Sequence, residues 1–196
     1  MNTKEKILEA ALNIFSVNGY GGTSIRNIAK EVGVRESAIY NHFKSKDKIL
    51  ETLIQKYGVR ENPEAIITND LFEKLKEPET FFLLFAKRLI HIWGMPSQIM
   101  YFRIILIDQF REDSFSHGRF TQHVNELRSI MSIVLSEMIK NKIIRKSNPQ
   151  MLANEFVYTL IQIRIEYLSG NEKIDWNKIE NITSDHIKFF WNAVKN

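Results

Sequence analysis

Cysteine is absent from the 196-residue chain. Its absence excludes a disulfide framework, a thiolate nucleophile, an iron–sulfur cluster and any cysteine-ligated zinc site, and it suits a reducing compartment. Turn-makers are scarce too. With 8 glycines and 4 prolines the chain has too few breakers for a β-sandwich or barrel, which needs a turn signal roughly every 8 to 12 residues. Long hydrophobic runs are also missing: the longest, Phe81–Ala86, falls far short of the ~18 apolar residues of a membrane-spanning helix. The segment Met1–Phe15 carries Lys4, Glu5, Lys6 and Glu9 among spaced apolar residues, unlike the continuous hydrophobic stretch of a secretory signal. The expected compartment is the cytoplasm.

What is present is material for a packed core, with 44% hydrophobic and 26% charged residues. So few breakers over this length predict long helices and an all-α fold. The net charge of +4 is unevenly placed. Residues 1–60 hold 10 Lys/Arg against 6 Asp/Glu, whereas residues 61–196 hold 17 of each. A basic front end on a neutral body points to a polyanionic partner, although solvated faces often carry such a surplus.

Periodicity predicts the elements. Ile7, Ala10, Ala11, Ile14 and Phe15 form one stripe of a first helix from about Thr3 to Val17, with Asn2 and Glu5 as a capping box. The run Asn18–Gly22 ends it. Thr23 is expected to cap a short second helix with Ile25, Ile28, Ala29 and Val32 inward, closed by Gly33. A third, Glu36 to Phe43, turns Ala38, Ile39 and Phe43 inward, and the tight turn at Gly33-Val34 makes the pair a helix-turn-helix. Ser45 then caps a fourth helix, Lys46 to Tyr57. A loop from about Val59 to Asn69 follows, and beyond it about five further helices are punctuated by Pro78, Gly94-Met95-Pro96, Gly118, Asn148-Pro149 and Gly170-Asn171. Of these, Phe81–Trp93 and Gln98–Phe110 are apolar on nearly every side and are expected to be buried all round. The last, Lys178 to Val194, carries two apolar sides: Ile179, Ile182, His186, Phe189 and Ala193 on one, and Thr183, Ile187, Phe190 and Val194 on the next.

The stretch Thr23–Leu50, TSIRNIAKEVGVRESAIYNHFKSKDKIL, with Phe15, Gly19 and Tyr20 upstream, strongly resembles the DNA-binding domain of the TetR family of bacterial transcriptional regulators. Ile28-Ala29, Gly33-Val34, Ile39-Tyr40, His42-Phe43 and Lys46 carry the match, which covers about residues 5–55. The resemblance implies a helix-turn-helix domain over 1–45 and a larger helical ligand-binding and dimerisation domain over 46–196, in which 46–57 is a linking helix. It also implies a cytoplasmic homodimer joined through the last two helices, and a repressor as the usual mode.

In a helix-turn-helix the second helix lies in the major groove and the first braces against the backbone. The candidate DNA-binding residues are Thr23, Ser24, Arg26, Arg35, Glu36, Ser37, Ala38, Tyr40, Asn41, His42 and Lys46. The resemblance implies that Tyr40, His42 and Lys46 contact phosphates and makes Arg26 a base reader, a role for which its fork fits guanine. Hydroxyls and amides at Thr23 and Ser24 suit a further phosphate. Each type also has a plainer use: Thr23 as a cap, Tyr40 in packing, Lys46 in solvation. Arg35, Glu36 and Ser37 depart from the family's usual residues. Arg35 is a poor cap but a good groove or phosphate ligand. Glu36 suits a cytosine amino group or offsets the helix dipole, and Asn41 suits adenine.

Other chemistry is weakly represented. The run Asn18–Ser24 lacks the Gly-Lys-Ser/Thr ending of a phosphate loop and follows a helix. Asp113, Ser114, Ser116 and His117 crowd one loop, whereas triads are built from distant segments. His91, His117 and His123 lack metal-ligand spacing. No metal, cofactor or catalysed reaction is expected. Arg103 and Arg164 interrupt apolar stripes, so each needs a partner: Asp108, Glu166, a second subunit or an anionic ligand. Candidate effector-binding residues are Phe85, Trp93, Met100, Arg103, Ile107 and Phe110, which favour a small hydrophobic ligand, with an acidic group if an arginine meets it. Two alternatives stay open: a DNA-binding dimer with no small-molecule effector, and a helical lipid-binding protein whose basic end is incidental.

Overall fold

The computed structural model of the chain describes residues 2–58, 66, 68–110, 118–170 and 173–196. Its elements are α1 (Thr3–Asn18), α2 (Ile25–Val32), α3 (Glu36–Tyr40), α4 (Lys46–Gly58), α5 (Asn69–Glu73), a 3₁₀ turn at Lys74–Lys76, α6 (Pro78–Trp93), α7 (Pro96–Asp108), α8 (Arg119–Lys140), α9 (Pro149–Ile163) running into a π-helical turn at Arg164–Leu168, and α10 (Trp176–Val194). Among the described residues there is no β-strand. An isolated antiparallel bridge joins Ile144 to Lys195. The loop expected over Val59–Asn69 and the cluster Asp113, Ser114, Ser116 and His117 fall wholly or largely outside the described residues.

Two compact units divide the chain. The first comprises the described residues of Met1–Arg60 and Met95–Phe120, the second those of Glu61–Gly94 and Thr121–Asn196. Packing therefore places α7 with α1–α4, a grouping by compactness that leaves the functional division at residues 45/46 a separate question.

The first unit is built on α1. The Glu5 N–H donates to the Asn2 side-chain oxygen at 2.9 Å and the Asn2 N–H returns to the Glu5 carboxylate at 3.0 Å, the capping box read from the sequence. The helix stops at Gly19, whose φ of +70° is open to glycine. Burial is broader than a single stripe, since Ile7, Leu8, Ala11, Leu12 and Phe15 are all buried while Ile14 is only half-buried. The cause is that α1 packs against α2, α4 and α7 together. Ile28, Ile39, Ile49 and Leu53 complete this core at 0% exposure, each worth ~1.5–3 kcal/mol of burial.

The second unit has an aromatic centre. Phe82 and Phe85 of α6, Phe156 of α9 and Phe190 of α10 meet with ring centroids 5.1–5.9 Å apart, in the tilted and edge-on geometries aromatic pairs prefer. On α10 the buried side is Ile179, Thr183, Ile187, Phe190 and Val194. Of the other apolar side, Ile182, His186 and Ala193 are half-buried and Phe189 is 76% exposed.

Several expectations change in three dimensions. Thr23 is not the cap of α2: Ser24 is, accepting from the Asn27 N–H at 3.1 Å. Regular helix in α3 ends at Tyr40 rather than Phe43. The chain continues in a turn in which the His42 and Phe43 N–H groups both reach the Ile39 carbonyl. Helix α7 is not buried all round. Ile107 is 46% exposed, and Phe110 lies beyond its end at 84%, although α7 packs against both α1 and α4. Helix α5 and its 3₁₀ turn were not foreseen.

Arg164 is engaged inside the second unit. It is 1% exposed and its guanidinium lies 4.7 Å from the centre of the Trp93 ring. Its Nη1 donates to His123 Nε2 at 3.2 Å, which puts the imidazole proton on Nδ1, since a guanidinium has no acceptor. The Asp108 carboxylate accepts from the Tyr20 N–H, and Glu166 from the Gln162 amide, each at 3.3 Å.

Candidate nucleic-acid interface

The helix-turn-helix is set by its turn. Gly33 has φ +77° and ψ +32°, the left-handed conformation that costs other L-residues ~1–2 kcal/mol. Its N–H reaches the Lys30 carbonyl at 3.2 Å and the Val34 N–H reaches the Ala29 carbonyl at 2.9 Å. This pair of bonds is a Schellman closure, and it redirects the chain within three residues into α3. Arg35 opens α3 with no side-chain capping bond, as its chemistry dictates.

Ile28, Ala29, Ile39 and Phe43 are buried, so the remaining sides of α2 and α3 face solvent. Ser24, Arg26, Arg35, Glu36, Ser37, Tyr40, Asn41 and His42 are exposed, and Ala38 and Lys46 are half-buried. Tyr40 is an exposed aromatic at 52%. Lys30 and Lys44 are exposed on the same segment.

Two of the candidates are engaged internally. Thr23 is 3% exposed and its hydroxyl donates to the Gly19 carbonyl at 2.9 Å, so it fastens the turn between α1 and α2. The Lys46 ammonium donates to the carbonyls of Tyr20 and Thr23 at 2.7 and 2.6 Å. It also lies 4.0 Å from the centre of the Tyr20 ring, and the Tyr20 hydroxyl donates to Asp47 at 2.5 Å. The start of α4, capped by Ser45 through the Lys48 N–H, is thereby tied to the approach to α2.

The six candidate effector residues are not gathered into one unit. Phe85 and Trp93 are at 0% exposure in the core of the second. Met100, Arg103, Ile107 and Phe110 belong to the first, the former two half-buried and the latter two exposed. A cleft in the second unit is lined by Ile90, His91, Ile92 and Trp176 among others, and by none of the six. Its one sequence signal was the lone glycine Gly94 at the end of an aromatic helix.

Residues 7–53 match the family described as bacterial regulatory proteins, tetR family. The negative transcriptional regulator IcaR of the biofilm operon icaADBC from Staphylococcus aureus is 40% identical over 52 residues. That alignment spans 26% of this chain and 28% of the relative. Solved structures share the fold at greater length. A complex of SmeT with triclosan superposes with a TM-score of 0.73 at 16% identity, covering 100% of this chain and 93% of that one. A transcriptional regulator from Aquifex aeolicus VF5 gives 0.66 at 24% identity, covering 96% and 99%. Among the described residues no helix is long and apolar enough to cross a membrane. The chain shares the fold of these solved regulators over nearly its whole length, and its residues 7–53 are similar to the family of bacterial regulatory proteins, tetR family.

Proposed function

We propose that the chain is a ligand-responsive repressor that reads a roughly palindromic operator as a homodimer. The observation that carries this reading is the solvent-facing row Arg26, Arg35, Ser37, Tyr40, Asn41 and His42 on a helix-turn-helix whose Ile28, Ala29, Ile39 and Phe43 are buried. Arg26 and the first turn of α3 read base edges, while Ser24, Tyr40 and His42 contact phosphates. Lys46 acts partly by holding the turn. Residues 1–45 serve as the DNA-binding domain and 46–196 as the effector and dimerisation domain, with 46–57 linking them.

Dimerisation uses the open sides of the last two helices. Phe189 of α10 is 76% exposed, as are Met151 and Tyr158 of α9 at 60% and 49%, an apolar surface suited to a second copy. Two reading helices then meet successive major grooves ~34 Å apart. The similar SmeT binds triclosan and the similar IcaR is a negative regulator, which supports a small hydrophobic effector that lowers operator affinity. Such a coupling is typically about 1–3 kcal/mol. Phe85 and Trp93 are the candidates for its contact in the second unit.

Selection from random duplex DNA tests the reading. A palindrome should emerge, and Phe189→Asp should convert the dimer to a monomer in sedimentation and weaken operator binding. Absence of any enriched sequence would contradict it.

A further inference from the structure

Trp176 begins α10 in an unusually fixed position. Its ring edge lies against the backbone of Gly94, where an added Cβ would come within 2.1 Å of a ring carbon. Only glycine leaves room for the ring there. On its other side the ring faces His91, with centroids 6.0 Å apart and planes tilted by 40°, and 36% of Trp176 is exposed. The two rings form the corner of a cleft of about 580 Å³, within the ~300–1,000 Å³ range of small-molecule sites. Ile90 and Ile92 of α6 line the same cleft, together with Thr183 of α10.

Among the described residues that line this cleft, the formal charges of Asp70, Arg88, Lys87 and Glu180 cancel. Arg88 donates to both oxygens of the Asp70 carboxylate and the Thr68 hydroxyl donates to one of them, and these hydrogen bonds hold the Asp70 carboxyl down at about 2. Asp70 is therefore ionised throughout the physiological range, and the pair is a closed wall with no net charge. The other two charged residues among the described lining, Lys87 and Glu180, oppose each other in sign. A charged ligand would lose hydration without meeting a net opposite charge, whereas a neutral flat one loses little. The Thr183 hydroxyl donates to the Ile179 carbonyl at 2.7 Å, which leaves its oxygen lone pairs to accept from a ligand hydroxyl.

We infer that this cleft is a binding site for an uncharged, flat aromatic small molecule, with Trp176 as its platform and Gly94 as the seat that fixes the platform. The inference does not depend on DNA binding, because occupancy is read directly.

The test is calorimetric titration of the full chain with 2-naphthol, which is neutral at pH 7, and with 2-naphthoate, its anionic counterpart. Wild type should bind 2-naphthol with a dissociation constant of ~100 µM or tighter for a ligand of this size, and 2-naphthoate roughly tenfold more weakly. Trp176→Ala should lose at least about tenfold and Trp176→Phe should stay within about threefold, since a second aromatic ring preserves the platform. Glu180 is exposed, so Glu180→Lys leaves the fold intact and should reverse the preference between the two probes. That variant decides the matter if Trp176→Ala does not fold. Binding of 2-naphthol weaker than millimolar, equal affinity for the two probes, or a preference unmoved by Glu180→Lys would each overturn the proposal.

Discussion

The Lys46 ammonium sits 4.0 Å from the centre of the Tyr20 ring while donating to the Tyr20 carbonyl at 2.7 Å. A residue whose resemblance implied a phosphate ligand thus also clamps the segment leading into α2. Cation–π attraction and charge-assisted hydrogen bonds act on the same group. Replacing Lys46 with Met keeps the stem and removes the donor to the Tyr20 and Thr23 carbonyls, the former of which still accepts from the Thr23 N–H at 3.3 Å. The expected cost is about 1–3 kcal/mol, read as a lower urea midpoint with an unchanged slope. An unchanged midpoint would reduce Lys46 to its surface charge.

The two positive-φ glycines on either side of α2, Gly19 and Gly33, should respond differently to alanine. At Gly33 nothing lies within 4 Å of an added Cβ, so Gly33→Ala should cost only the backbone strain of ~1–2 kcal/mol. At Gly19 an added Cβ would come within 2.8 Å of the Ile107 side chain. The clash adds to the strain, and Gly19→Ala should cost roughly 2–4 kcal/mol. Ile107→Ala should recover part of that loss, because Ile107 is 46% exposed and its own truncation is cheap. A double-mutant cycle measures the recovery, and strictly additive losses would place the clash elsewhere.

His186 gives the second unit a pH dependence. Burial beside Phe156 and Phe190 pushes its pKa below the ordinary histidine value, although its hydrogen bond to the Phe156 carbonyl and the nearby Glu155 charge oppose the shift. The unfolded chain therefore binds this proton more readily than the folded one. Stability should hold above the unfolded value of about 6.5 and fall as pH drops through it toward the lower folded value. His186→Gln, which keeps an amide donor for the Phe156 carbonyl, should flatten that fall in thermal melts between pH 7.5 and pH 5.5, a range spanning about one unit either side of the unfolded value. A fall of the same size in the variant would assign the dependence to another group.

Local signals were legible in the sequence and long-range ones were not. Asn2 with Glu5, Ser45 before α4 and Gly33 after α2 each act within a few residues of their own helix, and each has the role its chemistry suggests. Thr23 and Ser24 are adjacent hydroxyls with equal capping chemistry. Only the position of the Gly19 carbonyl decides that Thr23 turns inward and Ser24 caps. Ile107 and Phe110 continue an apolar run, yet how much of that run is covered depends on which helices pack against α7. Arg164 enters the core in a π-helical turn, a register change that no 3.6-residue pattern announces. The contact between Gly94 and Trp176 joins residues far apart in sequence, and so does the cleft it supports.

The central claim is that α2 and α3 read a DNA sequence, and affinity for the selected duplex across a salt series from about 50 to 200 mM tests it most directly. Log affinity should fall linearly with log salt. Arg26→Ala should lose discrimination of about 1–3 kcal/mol at a single base pair, whereas Tyr40→Ala should weaken every sequence alike. Affinity that ignores salt, together with variants that bind as wild type does, would show that this helix-turn-helix does not read DNA.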